Sequence, residues 1–126
     1  MKLLLYIGLG GAIGAIGRYF VMITVGHAFG MAFPYATLLV NVVGSLFLGL
    51  LVEGMALVWE VSETLRAFFV IGVLGAFTTF STFSLDVVYL FDRGEIWLAF
   101  LYVILSVVLS VLAFGAGMYA MRHLIA

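Results

Sequence analysis

The chain has 126 residues, 67% of them apolar and 9% charged, with a net charge of −1 and a mean hydropathy of +1.37. Water-soluble domains carry about 45–50% apolar and about 25% charged residues, so this composition excludes a soluble globule and a disordered chain and leaves an integral membrane protein. A near-neutral chain without cysteine also lacks the basic footprint of nucleic-acid recognition and any disulfide or thiolate chemistry.

A spanning helix needs about 20 mainly apolar residues. Four segments qualify, roughly 3–25, 34–52, 65–90 and 96–121, within one domain over 1–126. The connectors Gly26–Phe33, Glu53–Thr64 and Phe91–Glu95 hold Glu53, Glu60, Glu63, Asp92, Arg93 and Glu95. The alternating pattern of a β-barrel is missing. Met1-Lys2 and Leu3–Tyr6 could open a signal peptide, but the apolar run continues too long, so a spanning helix is expected. Lys2, Arg66 and Arg122 fall on one side of a four-span chain and Arg93 on the other. So weak a bias permits insertion in both orientations, and with it an antiparallel homodimer.

The first span carries Gly8, Gly10, Gly11, Gly14 and Gly17. Their order fails the phosphate-loop pattern and fits close helix packing. Arg18 lies after about 15 apolar residues, roughly 23 Å along the helix. It would snorkel to the far interface or face an aqueous vestibule. In the second span Pro34 suits a first turn, and Thr37, Asn41 and Ser45 share one face. That row is either interhelical glue or the lining of a permeation path.

The third span has the densest signal, Gly75-Ala76-Phe77-Thr78-Thr79-Phe80-Ser81-Thr82-Phe83-Ser84, with five hydroxyls within seven residues. Hydroxyls at that density can re-satisfy backbone groups where a helix is interrupted, so a break at the bilayer midplane is expected. Broken helices expose carbonyls that coordinate cations. Phe80 and Phe83, three residues apart, share a face. The fourth span repeats the stripe with Tyr102, Ser106 and Ser110. Three such stripes exceed what packing requires. Neutral donors without a buried lysine suit a small anion that must bind and also leave, and ring edges carry positive potential that would help. Four helices cannot enclose a pore and also pack a core, so the stripes would meet their counterparts in a second subunit. No acid–base pair, metal cluster or nucleophilic triad can be built, and an enzyme is not expected.

The string Gly75–Ser84 resembles the G-x-x-T-T-F-S-T-F-S signature of the Fluc (CrcB) family of fluoride channels. Gly17-Arg18-Tyr19 is similar to that family's arginine motif, Thr37-Leu38-Leu39-Val40-Asn41 to its T-x-x-V-N motif, and Tyr102, Ser106 and Ser110 to its polar track. The resemblance covers essentially the whole chain. It implies an all-α membrane protein of four spans, the third broken near its middle, in a dual-topology antiparallel homodimer with two fluoride pores and a central sodium ion. The carbonyls of Gly75 and Thr78 would hold the Na⁺. Phe80 and Phe83 would contact fluoride, and Asn41 would donate to it. Ser81, Thr82, Tyr102, Ser106 and Ser110 would line the track, with Thr37 near the pore and Arg18 beside the vestibule. The implied role is passive export of toxic cytoplasmic fluoride across the bacterial inner membrane. Members of the family often carry glutamate where Asp86 stands here, which leaves the role of this shorter carboxylate open.

Two other readings compete. A small multidrug-resistance exporter is also short and four-spanning, but it needs a carboxylate in its first span, where this chain has only Arg18. A non-transporting assembly subunit would need interhelical glue but no donor stripes aligned on three helices.

Overall fold

A computed structural model describes residues 1–125, all-helical with short connections among them. Helix α1 is Lys2–Phe29 and α2 is Tyr35–Leu57. The third span, Glu63–Asp92, is composite: a short α3 (Glu63–Arg66), a π-helical stretch (Ala67–Leu74), α4 (Gly75–Phe77) and α5 (Phe80–Asp92). Helix α6 is Ile96–Ile125. Each of the four spans is long and apolar enough to cross a bilayer, and the protein is a multi-pass membrane protein.

Local chemistry sets the boundaries. Helix α1 stops at Gly30, whose φ of 79° needs a residue without Cβ strain. Pro34 precedes α2. Ser62 caps α3, its Oγ accepting from the Leu65 N–H at 3.2 Å. A tight turn at Gly94, again with φ 79°, reverses the chain from α5 into α6.

The spans pack through glycines, as expected where lipid removes the hydrophobic drive between helices and close van der Waals approach must replace it. A Cβ on Gly14 would collide with the Val73 carbonyl, and one on Gly72 would lie 2.9 Å from both Gly10 Cα and Ile7 O. These contacts join α1 to the π-helical stretch. On the other side, a Cβ on Gly49 would meet the Phe114 carbonyl and one on Gly117 the Leu46 carbonyl, joining α2 to α6. A small apolar core of Leu90, Ala99 and Tyr102, with Phe33, Leu38 and Phe83 against it, closes the end near the α5–α6 turn.

Three details differ from the sequence reading. The first two spans run several residues further than expected, and Glu53 lies inside α2 rather than in a connector. There it is buried and paired with Arg122 of α6 at 3.3 Å. A carboxylate that finds a guanidinium can stay in the helix, so composition alone misplaced the boundary. The interruption of the third span falls at Thr78 (φ −83°, ψ 157°) and Thr79 (φ −152°, ψ 114°), while Gly75 itself is helical. The π-helical winding before the break has no counterpart in the sequence analysis.

Candidate permeation site at the helix break

The break is built by four side chains. Two extended residues in mid-span strip donors and acceptors from the helical ladder, and each freed group must find a partner or remain bare. Asn41 of α2 splints the gap: its Nδ2 donates to the Thr79 carbonyl at 3.1 Å, and its Oδ1 accepts from the Thr79 N–H at 2.7 Å. The side-chain amide thus pairs with Thr79 as a neighbouring strand would. Thr79 Oγ1 caps α5, accepting from the Thr82 N–H at 3.0 Å. Thr78 Oγ1 donates back to the Leu74 carbonyl at 3.0 Å. Arg18 Nε of α1 donates to the Ala76 carbonyl at 3.0 Å.

This arrangement takes the helical donors from the carbonyls of Gly75, Ala76, Phe77 and Thr78, of which Ala76 is answered by Arg18. The Thr79 N–H that would serve Gly75 O goes to Asn41, and the Thr82 N–H that would serve Thr78 O goes to Thr79 Oγ1. Gly75 and Thr78 line the cavity beside the break. Bare carbonyls at a break are the ligands a hard cation takes, so the donor set suits Na⁺.

That cavity, of about 370 Å³, is lined by Asn41, Phe80, Phe83, Ser106 and Ser110, among others. Phe80 and Phe83 have ring centroids 5.5 Å apart. Phe80 is 79% exposed, an unusual position for a ring adjoining a cavity. The hydroxyl oxygens of Ser106 and Ser110 are buried with no hydrogen-bond partner. The positive end of the α5 dipole opens at the same place, since α5 begins at Phe80.

A second cavity, of about 230 Å³, includes Thr37, Thr82, Asp86 and Arg93 in its wall. Tyr102 stands between the two. It is fully buried, its ring lies 5.2 Å from that of Phe83, and its hydroxyl donates to Asp86 Oδ2 at 2.9 Å. From Ser110 through Ser106, Phe83 and Tyr102 to Asp86, Thr82 and Thr37, polar groups and ring edges therefore follow one another from the first cavity to the second. Of the residues singled out from the sequence, Arg18, Ser81 and Tyr102 belong to neither lining. Arg18 is tied to the break, and Ser81 Oγ lies 3.2 Å from Thr79 Oγ1. Sequence reasoning missed the Asp86–Tyr102 contact, which joins residues 16 apart across a turn. It also placed Arg93 only in a connector, although the side chain reaches the second cavity.

Comparison with known proteins gives the family. The family described as "CrcB-like protein, Camphor Resistance (CrcB)" matches residues 5–118. A protein of Rhodospirillum centenum named "Fluoride-specific ion channel FluC" is 47% identical over 126 residues, covering 100% of both chains. "Fluoride-specific ion channel FluC 1" of Nitrobacter hamburgensis is 45% identical over 121 residues, 96% of each chain. A relative of the former name from Agrobacterium fabrum is 49% identical over 115 residues, 91% of this chain and 92% of its own. With the match spanning all four helices and the break, the chain belongs to the CrcB family of membrane proteins.

Proposed function

We propose that this protein is a fluoride-selective channel that lets cytoplasmic fluoride leave a bacterial cell passively across the inner membrane. The observation that carries the reading is the pair of buried, partnerless hydroxyls of Ser106 and Ser110 in a cavity shared with Asn41, Phe80 and Phe83. A buried hydroxyl without a partner costs about 1–3 kcal/mol, so packing alone gives no reason to keep two of them. A small anion passing the site supplies the missing acceptor. Neutral donors bind it without trapping it, and the ring edges add attraction without formal charge. The names carried by the relatives point the same way.

The working unit in this reading is an antiparallel homodimer with two pores. One chain leaves the wall of the first cavity unfinished, with Phe80 largely exposed, and a second copy would complete it. The bare carbonyls of Gly75 and Thr78 would hold a central Na⁺, which supplies a fixed positive charge near the anion path. Asn41, having one Nδ2–H engaged with Thr79, keeps the other for fluoride. Thr37, Thr82 and Tyr102 continue the path, while Arg18 and Ser81 support the break.

The test is fluoride efflux from liposomes holding the purified protein, read by a fluoride electrode with chloride as control. Rapid fluoride efflux with little chloride leak is expected, and Phe80→Ile or Phe83→Ile should slow it. No fluoride efflux from a folded protein would overturn the reading.

A further inference from the structure

We infer that Arg93 is a positioning charge for the permeating anion, one that keeps the second cavity passable to fluoride by offsetting Asp86. The inference rests on the channel reading above. Among the described residues, Asp86 and Arg93 are the only formally charged ones in the wall of the second cavity. They lie seven residues apart, Asp86 within α5 and Arg93 just past its end, about 10 Å along the axis at 1.5 Å per residue. The two make no ion pair with each other, and each charge has its own neutral partner. Tyr102 donates to Asp86 Oδ2, and Arg93 Nη2 donates to the Ala32 carbonyl at 2.6 Å.

Two opposite charges held apart by separate neutral partners do not cancel locally. Each acts on whatever passes between them. An anion leaving the Tyr102 end meets the carboxylate of Asp86, and with that charge alone the cavity would repel it. Arg93, exposed toward solvent, supplies the compensating charge, with only one of its N–H donors engaged. Asp92 and Glu95 flank Arg93 in the chain and line neither cavity, so they add negative charge outside and sharpen the need for it. The bond to Ala32 fixes the guanidinium against the segment joining α1 to α2. The charge is therefore held at the cavity wall instead of ranging freely.

Removing one unit charge about 10 Å from an ion path in water changes local anion occupancy about twofold, and salt near 1 M screens the effect almost entirely. Arg93→Gln should thus lower fluoride flux about twofold or more at low ionic strength. The deficit should vanish in about 1 M potassium isethionate, where the Debye length is about 3 Å. Arg93→Lys should behave as the parent. Because the chain has no cysteine, Arg93→Cys gives one reactive thiol. A cationic methanethiosulfonate should restore flux there, and a neutral one of similar size should not.

Parent-like flux of Arg93→Gln at low ionic strength overturns the inference. So does a deficit that persists in high salt, which would mark the Ala32 tether as the whole role, or equal rescue by both reagents. With a fluoride-conducting parent these outcomes leave the channel reading standing. A parent that carries no fluoride overturns both.

Discussion

Asn41→Ala tests whether the break in the third span is held by one side chain. The substitution removes both hydrogen bonds to Thr79, at 3.1 and 2.7 Å, and leaves its N–H without a partner, while its carbonyl, at the N-cap of α5, keeps the first helical N–H. Thr79 is 8% exposed, so water does not readily replace the lost amide. Its own hydroxyl is already committed to the Thr82 N–H and faces Ser81 Oγ. One orphaned buried N–H costs about 1–3 kcal/mol, and that is the expected loss. Equilibrium unfolding in detergent micelles, or the thermal midpoint of the purified protein, reads it directly. Asn41→Asp makes the matched comparison: it keeps the acceptor for the Thr79 N–H but sets an oxygen against the Thr79 carbonyl, and it adds a charge beside an anion path. It should lose fluoride flux even where part of the stability survives. Asn41→Ala within about 1 kcal/mol of the parent would refute the splint.

Ser106→Ala and Ser110→Ala should separate flux from stability, since the hydroxyls removed have no partner. Unfolding measurements should show unchanged or slightly raised stability, while fluoride efflux falls. Gly72→Ala should cost about 1–3 kcal/mol or more, because the added carbon meets the backbone of α1 rather than a movable side chain. Gly8→Ala, with nothing within 4 Å, should be neutral or mildly stabilising, and the thermal midpoints of the two variants check the contrast. Arg122→Ala should destabilise by about 1–2 kcal/mol, since it strands the buried Glu53 carboxylate; the value is held down because Arg122 itself is 58% exposed and screened. Glu53→Gln should cost less in the same unfolding assay, because a neutral amide is left instead of a charge.

Much of the architecture is legible in the sequence because it rests on near neighbours. Apolar run length defines the four spans, since the bilayer requires it. The dense hydroxyls of Thr78–Ser84 mark the interruption, and one of them repairs it: Thr79 caps α5, while Thr78 and Ser84 bond back to the Leu74 and Phe80 carbonyls four residues earlier, both at 3.0 Å. The spacing of Tyr102, Ser106 and Ser110 places them on one face of α6 whatever that face meets.

What spacing does not contain is which distant group answers each need. Asn41 reaches Thr79 across 38 residues, Arg18 reaches Ala76 across 58, and Arg122 reaches Glu53 across 69. Those pairings exist because Gly10, Gly14 and Gly72 bring α1 against the π-helical stretch, and Gly49 and Gly117 bring α2 against α6. Hydropathy, periodicity and hydroxyl density act locally, and they suffice to make the chain a four-span membrane protein with an interrupted third helix and polar stripes on three helices. That the interruption falls at Thr78 and Thr79, that Glu53 stays in its helix, and which carbonyls are left bare all follow from helix packing. Those outcomes depend on how closely separate helices approach, and the bare Gly75 and Thr78 carbonyls exist only because Asn41 and Thr79 divert the N–H groups that would have covered them.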